Sequence, residues 1–209
     1  MTISYPLSLP AVKGIATIRV VARNVTAISR SPFALSAQVY RWSGQAWEAD
    51  ITLPAMQRAD AESWLSFLLK LKGRYGTFLL GDPNGATPRG SAATTPGTPL
   101  VAGGAQVGGS LDIDGLPLSA TNYLLAGDYI QLGTGLSTRL YKVLNNVSSN
   151  GSGQATLDLW PDLRSSPGDN ATVVVSNAKG LFRLSNQDQD FTIDDTSTYN
   201  ITFGAMEAI

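Results

Sequence analysis

The chain contains no cysteine and no histidine among its 209 residues. Without cysteine, it can form neither disulfides nor thiolate metal sites. Without histidine, it lacks the usual general base near neutral pH, the Ser-His and Cys-His nucleophile pairs, and imidazole ligands for metals. An enzyme built from these residues would depend on carboxylates, lysine or tyrosine. We therefore expect no enzymatic activity, no cofactor and no metal site.

Charge is also scarce. Charged residues make up 15% of the chain and the net charge is -1, whereas an average domain has roughly 25% charged residues. No Lys/Arg cluster provides the basic surface that many phosphate contacts require, so nucleic-acid binding is not expected. Little charge lowers the cost of desolvating a contact surface, which favours a protein packed against copies of itself or against partners.

Long apolar runs are missing as well. No stretch of about 18 apolar residues occurs, so no membrane span is predicted. Residues 1–14 have no basic start followed by an apolar core, so we expect no signal peptide.

What the sequence does contain is one helical pattern among many strands. Residues 56–73 hold the only sustained apolar period of 3.6 residues, which predicts a helix over 58–72 with Gly73 just beyond its end. We interpret the apolar stripe as the face that covers the sheet of its own domain, with a partner-binding face as the alternative. One amphipathic helix among short strands is typical of a β-built scaffold or assembly protein.

The first strands alternate apolar and polar residues. Such alternation predicts a strand over 14–24, continued by 25–29 past a bend. Residues 38–42 and 47–53 predict a hairpin that turns at Ser43-Gly44-Gln45.

A change of composition marks a boundary. Residues 86–109 are Gly, Ala, Thr, Pro and Ser with almost no charge, which predicts a linker or an extended arm. Six or seven short strands follow within about 90 residues, a spacing typical of a small barrel or sandwich.

The last predicted pair of strands lies within 190–206 and turns at Asp194-Asp195-Thr196. We expect it to return to the sheet of the first segment. The predicted fold is therefore mostly β: a β-sandwich or split barrel with one helix, formed by 1–85 and 185–209, plus a small inserted β-barrel-like domain at 86–184.

Several motifs together resemble a family of minor tail proteins encoded in siphophage and prophage tail modules. The motifs span nearly the whole chain and are SPF (31–33), QVY (38–40), RADAESW (58–64), FLLKL (67–71), GRYGTFLLGDP (73–83), AGDYIQLG (126–133), RLYKV (139–143) and LWP (159–161).

The resemblance implies a protein similar to distal tail (hub) proteins, which form a ring between the tail tube and the tip. It implies a hexameric ring as the favoured assembly, with the tail tube protein and the hub or tip proteins as partners. Location in the tail tip of the virion, after assembly in the host cytoplasm, is implied too. The alternative is a carbohydrate-binding, receptor-recognition module that binds a host glycan through the inserted domain.

Three sets of residues are weighed as sites. Asp112 and Asp114 resemble the start of a calcium loop, but its later ligands are missing, so a charged strand end is the preferred interpretation. Carboxylates near the end of the chain are interpreted as a solvated loop rather than a glycosidase pair. Aromatic side chains that could stack on sugars are interpreted as core or contact residues. The carboxylates near the end of the chain are Asp188, Asp190, Asp194 and Asp195. The aromatic residues are Tyr40, Trp42, Trp47 and Tyr129.

Overall fold

The computed structural model describes residues 3–209 and confirms the predicted fold class. The chain is mostly β, with antiparallel sheets, a barrel-like second sheet that is nearly closed, and one α-helix among the described residues. The elements are β1 (Thr17–Arg30), β2 (Ala37–Thr52), β3 (Met56–Gln57), α1 (Arg58–Lys70), β4 (Phe78–Leu80), β5 (Leu100–Val101), β6 (Ser110–Asp114), β7 (Tyr129–Leu132), β8 (Arg139–Val143), β9 (Ala155–Trp160), β10 (Val173–Val174), β11 (Gly180–Leu184), β12 (Phe191–Ile193) and β13 (Thr198–Glu207).

The first sheet joins both ends of the chain. Its strand order is β1-β2-β13-β11-β4, and β3 and β12 pair with the amino-terminal part of β13. The last strand therefore lies in the middle of this sheet, between β2 on one side and β11 on the other. The pair of strands near the end of the chain does return to the sheet of the first segment.

Helix α1 covers one face of this sheet. Its apolar stripe is buried apart from Leu69, which is 70% exposed. Trp64 packs on Phe203 with ring centroids 6.1 Å apart, while Phe67 meets Phe78 at 5.6 Å. The stripe is thus occupied by its own sheet, as the preferred interpretation expected. The helix ends earlier than predicted, at Lys70, because Lys72 and Gly73 both adopt left-handed backbone angles.

The second sheet has the strand order β10-β7-β8-β9-β6-β5. Its two end strands approach each other: the Val101 N–H donates to the Ala171 carbonyl at 2.9 Å, and the Val173 N–H donates to Pro99 at 3.0 Å. These bonds nearly close the sheet into a barrel around its own apolar core.

The residues predicted to form a linker or arm, 86–109, do neither. They contain the 3₁₀ turn Ser91–Ala93 and strand β5, and Ala92 and Val101 are buried in the barrel core. The prediction was wrong because small residues here permit close packing rather than disorder. A Cβ on Gly90 would lie 2.3 Å from the Tyr123 carbonyl oxygen.

One strand of the predicted inserted domain belongs elsewhere. β11 was assigned to the unit 86–184, but it pairs with β4 and β13 in the first sheet. Its side chains Phe182 and Leu184 lie in the core under α1. The strands of the second sheet therefore end at Val174.

Candidate interaction surface

Strands β1 and β2 continue beyond the first sheet as a two-stranded projection, which we call the hairpin arm (residues 22–44). The turn at its tip is closed by the Ser31 N–H, which donates to the Ser36 carbonyl at 2.9 Å. The hairpin predicted at Ser43-Gly44-Gln45 is wrong, because β2 runs through these residues as one strand.

A bulge explains why the glycine signal misled. Asn24 pairs with Gln45, but Thr26 pairs with Arg41, so β2 contains two extra residues at this level. A Cβ on Gly44 would lie only 2.9 Å from the Val25 Cγ2 atom. This glycine therefore marks a bulge within a strand rather than a turn.

The hairpin arm is exposed along its whole length. Every one of its residues is solvent-exposed except Ser31, which is half-buried. Seven large apolar side chains on it are nevertheless exposed by 48% or more: Val25, Ile28, Phe33, Leu35, Val39, Tyr40 and Trp42. A concentration of exposed apolar side chains on one projection is typical of a protein–protein contact surface.

Both faces of the arm contribute to this surface. Tyr40 and Trp42 alternate on β2 and pack edge to face, with ring centroids 4.9 Å apart. Ile28 and Val39 form a cross-strand pair on the opposite face. An arm that is apolar on both faces can be covered on both sides.

Residues at the end of β9 and just after it hydrogen-bond to the base of the arm. The Trp160 indole N–H donates to the Asn24 side-chain oxygen at 2.9 Å, and the Asp162 backbone N–H donates to Gln45 at 2.7 Å. The Asp162 carboxylate also forms an ion pair with Arg41 at 2.6 Å. These contacts fix the direction in which the arm leaves the sheet.

A buried seam joins the two sheets beside this base. The Trp47 indole N–H donates to the Leu140 carbonyl at 3.0 Å, and the rings of Trp47 and Trp160 meet edge to face at 4.3 Å. Glu207 accepts hydrogen bonds from Arg164 and from the Trp47 backbone N–H. Two of the aromatic residues weighed as sugar platforms, Trp47 and Tyr129, are buried here.

Charge is distributed unevenly along the chain. Residues 1–47 contain five basic residues and no acidic one, whereas residues 184–209 contain five acidic residues and no basic one. In the basic segment, Arg19 pairs with Asp50 and Arg23 with Glu48. The hydrogen bond and charge of Glu48 raise the pKa of the Arg23 guanidinium.

The acidic residues near the end of the chain lie around β12, as the solvated loop that the sequence predicted. All of Asp188, Asp190, Asp194 and Asp195 are exposed. Asp194 holds the β12–β13 turn: hydrogen bonds from the Thr196 hydroxyl and from the Thr198 and Thr196 backbone lower the pKa of its carboxyl group.

Asp112 and Asp114, which were weighed as the start of a calcium loop, lie on β6. The Asp112 carboxylate accepts a hydrogen bond from the Thr156 hydroxyl at 2.5 Å on the neighbouring strand. Within residues 3–209, no group of three or more acidic residues is placed to hold a metal ion. No helix in the same span is long and apolar enough to cross a membrane.

Sequence reasoning did not find the arm, although a signal was present. Two alternating stretches of similar length flank Ser31-Pro32-Phe33, and serine and proline are common turn residues.

Comparison with known proteins identifies no relative. A scan against protein-family models and a search of curated proteins each found no match to this chain.

Proposed function

We propose that this protein is a structural component of a siphophage tail tip. In this proposal it forms a ring, favoured as a hexamer, that links the tail tube protein to the hub or tip proteins. It would be assembled in the host cytoplasm and act in the virion.

The observation that carries the proposal is the hairpin arm. It exposes seven large apolar side chains on a segment that buries none of them within the chain. Leaving so much apolar surface in water is unfavourable, at about 25 cal/mol per Å². A neighbour that covers the arm removes this cost, so the arm is suited to permanent contact between subunits.

The position of the arm at one edge of the first sheet supports the ring in this proposal. In this proposal the arm contacts a different patch on the next copy, a head-to-tail arrangement that forms a closed ring when the rotation between copies closes. The motifs of the resemblance supply the biological setting. The two QVY and SPF motifs lie on the arm itself.

The test is the mass of the full chain in solution, measured by light scattering after size-exclusion chromatography. We expect a ring whose mass is a multiple of 22.0 kDa. The triple variant Ile28→Ser, Val39→Ser and Trp42→Ser should elute as a monomer. The matched control replaces Leu118, Leu136 and Leu144 by serine. These side chains have similar exposure, lie in the second unit (the part of the chain that forms the second sheet), and their replacement should keep the ring.

The location is tested separately, by cryo-electron microscopy of intact tails labelled with an antibody against this chain. Label at the distal tip is expected. Label elsewhere on the particle, or a wild-type chain that stays monomeric at millimolar concentration, would overturn the proposal.

The carbohydrate-binding alternative gains no support from the second unit. Sugar recognition commonly uses exposed aromatic faces, but Tyr123, Tyr129 and Tyr141 are buried and Trp160 is partly buried at the seam. Glycan binding by the full chain that survives the loss of Tyr40 and Trp42 would revive this alternative.

A further inference from the structure

β1 and β12 each leave one edge of the first sheet unpaired, and the two edges lie on opposite sides of β13. The edge of β4 is partly covered, because Leu7 exchanges backbone hydrogen bonds with Thr77 and Leu79. Among residues 3–209, β1 pairs with no strand other than β2, and β12 with no strand other than β13.

Tyr199 of β13 pairs with Met56 on one side and with Ile193 of β12 on the other. β2 lies on the Met56 side, because the Leu53 N–H that follows it donates to the Ile201 carbonyl of β13. The free edges of β1 and β12 therefore face in opposite directions.

Both free edges are exposed and apolar. Phe191 and Ile193 of β12 are exposed by 46% and 53%, and β1 presents Val25 and Ile28. An exposed strand with unpaired backbone groups and apolar side chains readily accepts a further strand.

The charges of the two edges are opposite. The segment 13–47, which contains β1, has basic residues only, and the segment 184–195, which contains β12, has acidic residues only. Arg19, Arg23 and Arg41 already pair with acidic residues of their own chain, so Arg30 carries the uncompensated charge of β1. Arg30 on β1 forms no ion pair within residues 3–209, and neither do Asp188, Asp190 and Asp195. The two edges of one chain therefore complement each other in sign, but they cannot meet within that chain.

We infer that the β12 edge of one copy pairs with the β1 edge of the next copy, so that the first sheet continues from subunit to subunit. The occupant of each edge is thus a second copy of this chain. This inference rests on the proposed ring and names the surfaces that form it. A continuous sheet satisfies the free backbone groups of both edges and brings Arg30 within the field of the acidic β12 loop.

Disulfide trapping tests this pairing without background, because the natural chain has no cysteine. Thr192→Cys on β12 is combined with one cysteine at each position of β1 in turn. Within one chain, β1 and β12 are separated by β2 and β13, a distance of at least about 14 Å at three strand spacings. A disulfide needs Cα atoms within about 7 Å, so every bond formed must join two copies.

We expect oxidation to give a ladder at multiples of 22.0 kDa for a short run of β1 positions. Thr192→Cys alone, and Thr192→Cys combined with Leu118→Cys on the second unit, should give no ladder. If the ring forms but no β1 position cross-links, the inference is wrong and the proposed ring stands. If no ring forms at all, both fail. A dimer from Thr192→Cys alone would indicate symmetric pairing and would also overturn the inference.

Charge exchange supplies a second measurement that does not depend on cysteine geometry. Arg30→Asp and Asp190→Arg should each weaken ring assembly by about two- to fivefold, and the double variant should restore it. Additive weakening in the double variant would contradict the pairing.

Discussion

Arg164 and Glu207 form two hydrogen bonds across the junction of the two sheets, Nε to Oε1 at 3.1 Å and Nη2 to Oε2 at 2.6 Å. Arg164 follows β9 of the second sheet, and Glu207 ends β13 of the first. Their side chains are only 10% and 2% exposed. This buried, two-pronged ion pair therefore connects the two sheets directly beside the base of the hairpin arm.

Removing one partner of this pair should be costly. Glu207→Gln leaves the Arg164 guanidinium buried without its countercharge, and we expect the free energy of unfolding to fall by about 3 kcal/mol. Urea denaturation measures the loss. The matched control is Glu62→Gln, which removes the exposed pair with Arg58 and should cost about 0.5 kcal/mol or less. Equal effects of the two substitutions would show that the buried pair does not join the sheets.

Alkaline pH should destabilise the barrel through Tyr123. Burial raises the pKa of this phenol to about 12, and its hydroxyl donates to the Pro96 carbonyl at 2.6 Å. An unfolded tyrosine has a pKa of about 10, so between pH 10 and 12 the folded chain binds more protons. The stability that this phenol contributes is complete below pH 10 and is lost as pH rises, at up to about 1.4 kcal/mol per pH unit.

The control for this pH dependence is a solvent-exposed tyrosine of the same chain. Tyr123→Phe should flatten the fall in unfolding free energy between pH 10 and 12, whereas Tyr75→Phe, at a 75% exposed position, should leave it unchanged. Burial also raises the pKa of Tyr141, so part of the slope should remain in the Tyr123 variant. A slope unaltered by Tyr123→Phe would contradict the assignment.

The segment 86–109 should behave as packed structure. Gly90→Ala places a Cβ within 2.4 Å of two backbone oxygens, those of Tyr123 and Asn122, and we expect a loss of about 1–3 kcal/mol in unfolding free energy. Gly168→Ala places its new Cβ more than 4 Å from every atom of the described part of the chain and should be nearly neutral. Thermal denaturation of both variants makes the comparison. Equal stability of the Gly90 and Gly168 variants would favour the flexible linker that the sequence predicted for this segment.

The arm should lose its direction when its base is released. Asp162→Ala removes the ion pair with Arg41, and we expect faster amide hydrogen exchange within residues 24–41 while the melting temperature changes little, because these residues lie outside both cores. Asp114→Ala, a carboxylate of the second sheet without a contact to the arm, is the control. Unchanged exchange in the arm would mean that other contacts orient it.

Patterns of burial were the most predictable part of the fold. The stripe of α1 and the alternation of β13 each reflect one buried face, and a buried face leaves a periodic trace in the sequence. The helix that covers its own sheet, the turn at Asp194 and the return of the last strands could all be predicted on this basis.

Close packing of small residues left no such trace. Gly44 and Gly90 give the same signal as glycines in turns and linkers, although one fits a bulge against Val25 and the other fits beneath a carbonyl. A strand that is exposed on both faces has no burial period to detect. For that reason, β2 was predicted as two shorter strands joined by a turn at Ser43-Gly44-Gln45, and the arm was not predicted.

The central position of β13 also orders events during synthesis. β2 leaves the ribosome long before residues 198–207 and β11 shortly before them, so β2 and β11 stay unconnected until these residues emerge. Nascent chains would thus hold an exposed apolar projection without a finished platform beneath it. Chaperones would act mainly on this incomplete form of the chain. A chain that stalls before Thr198 would aggregate rather than form a partly working subunit.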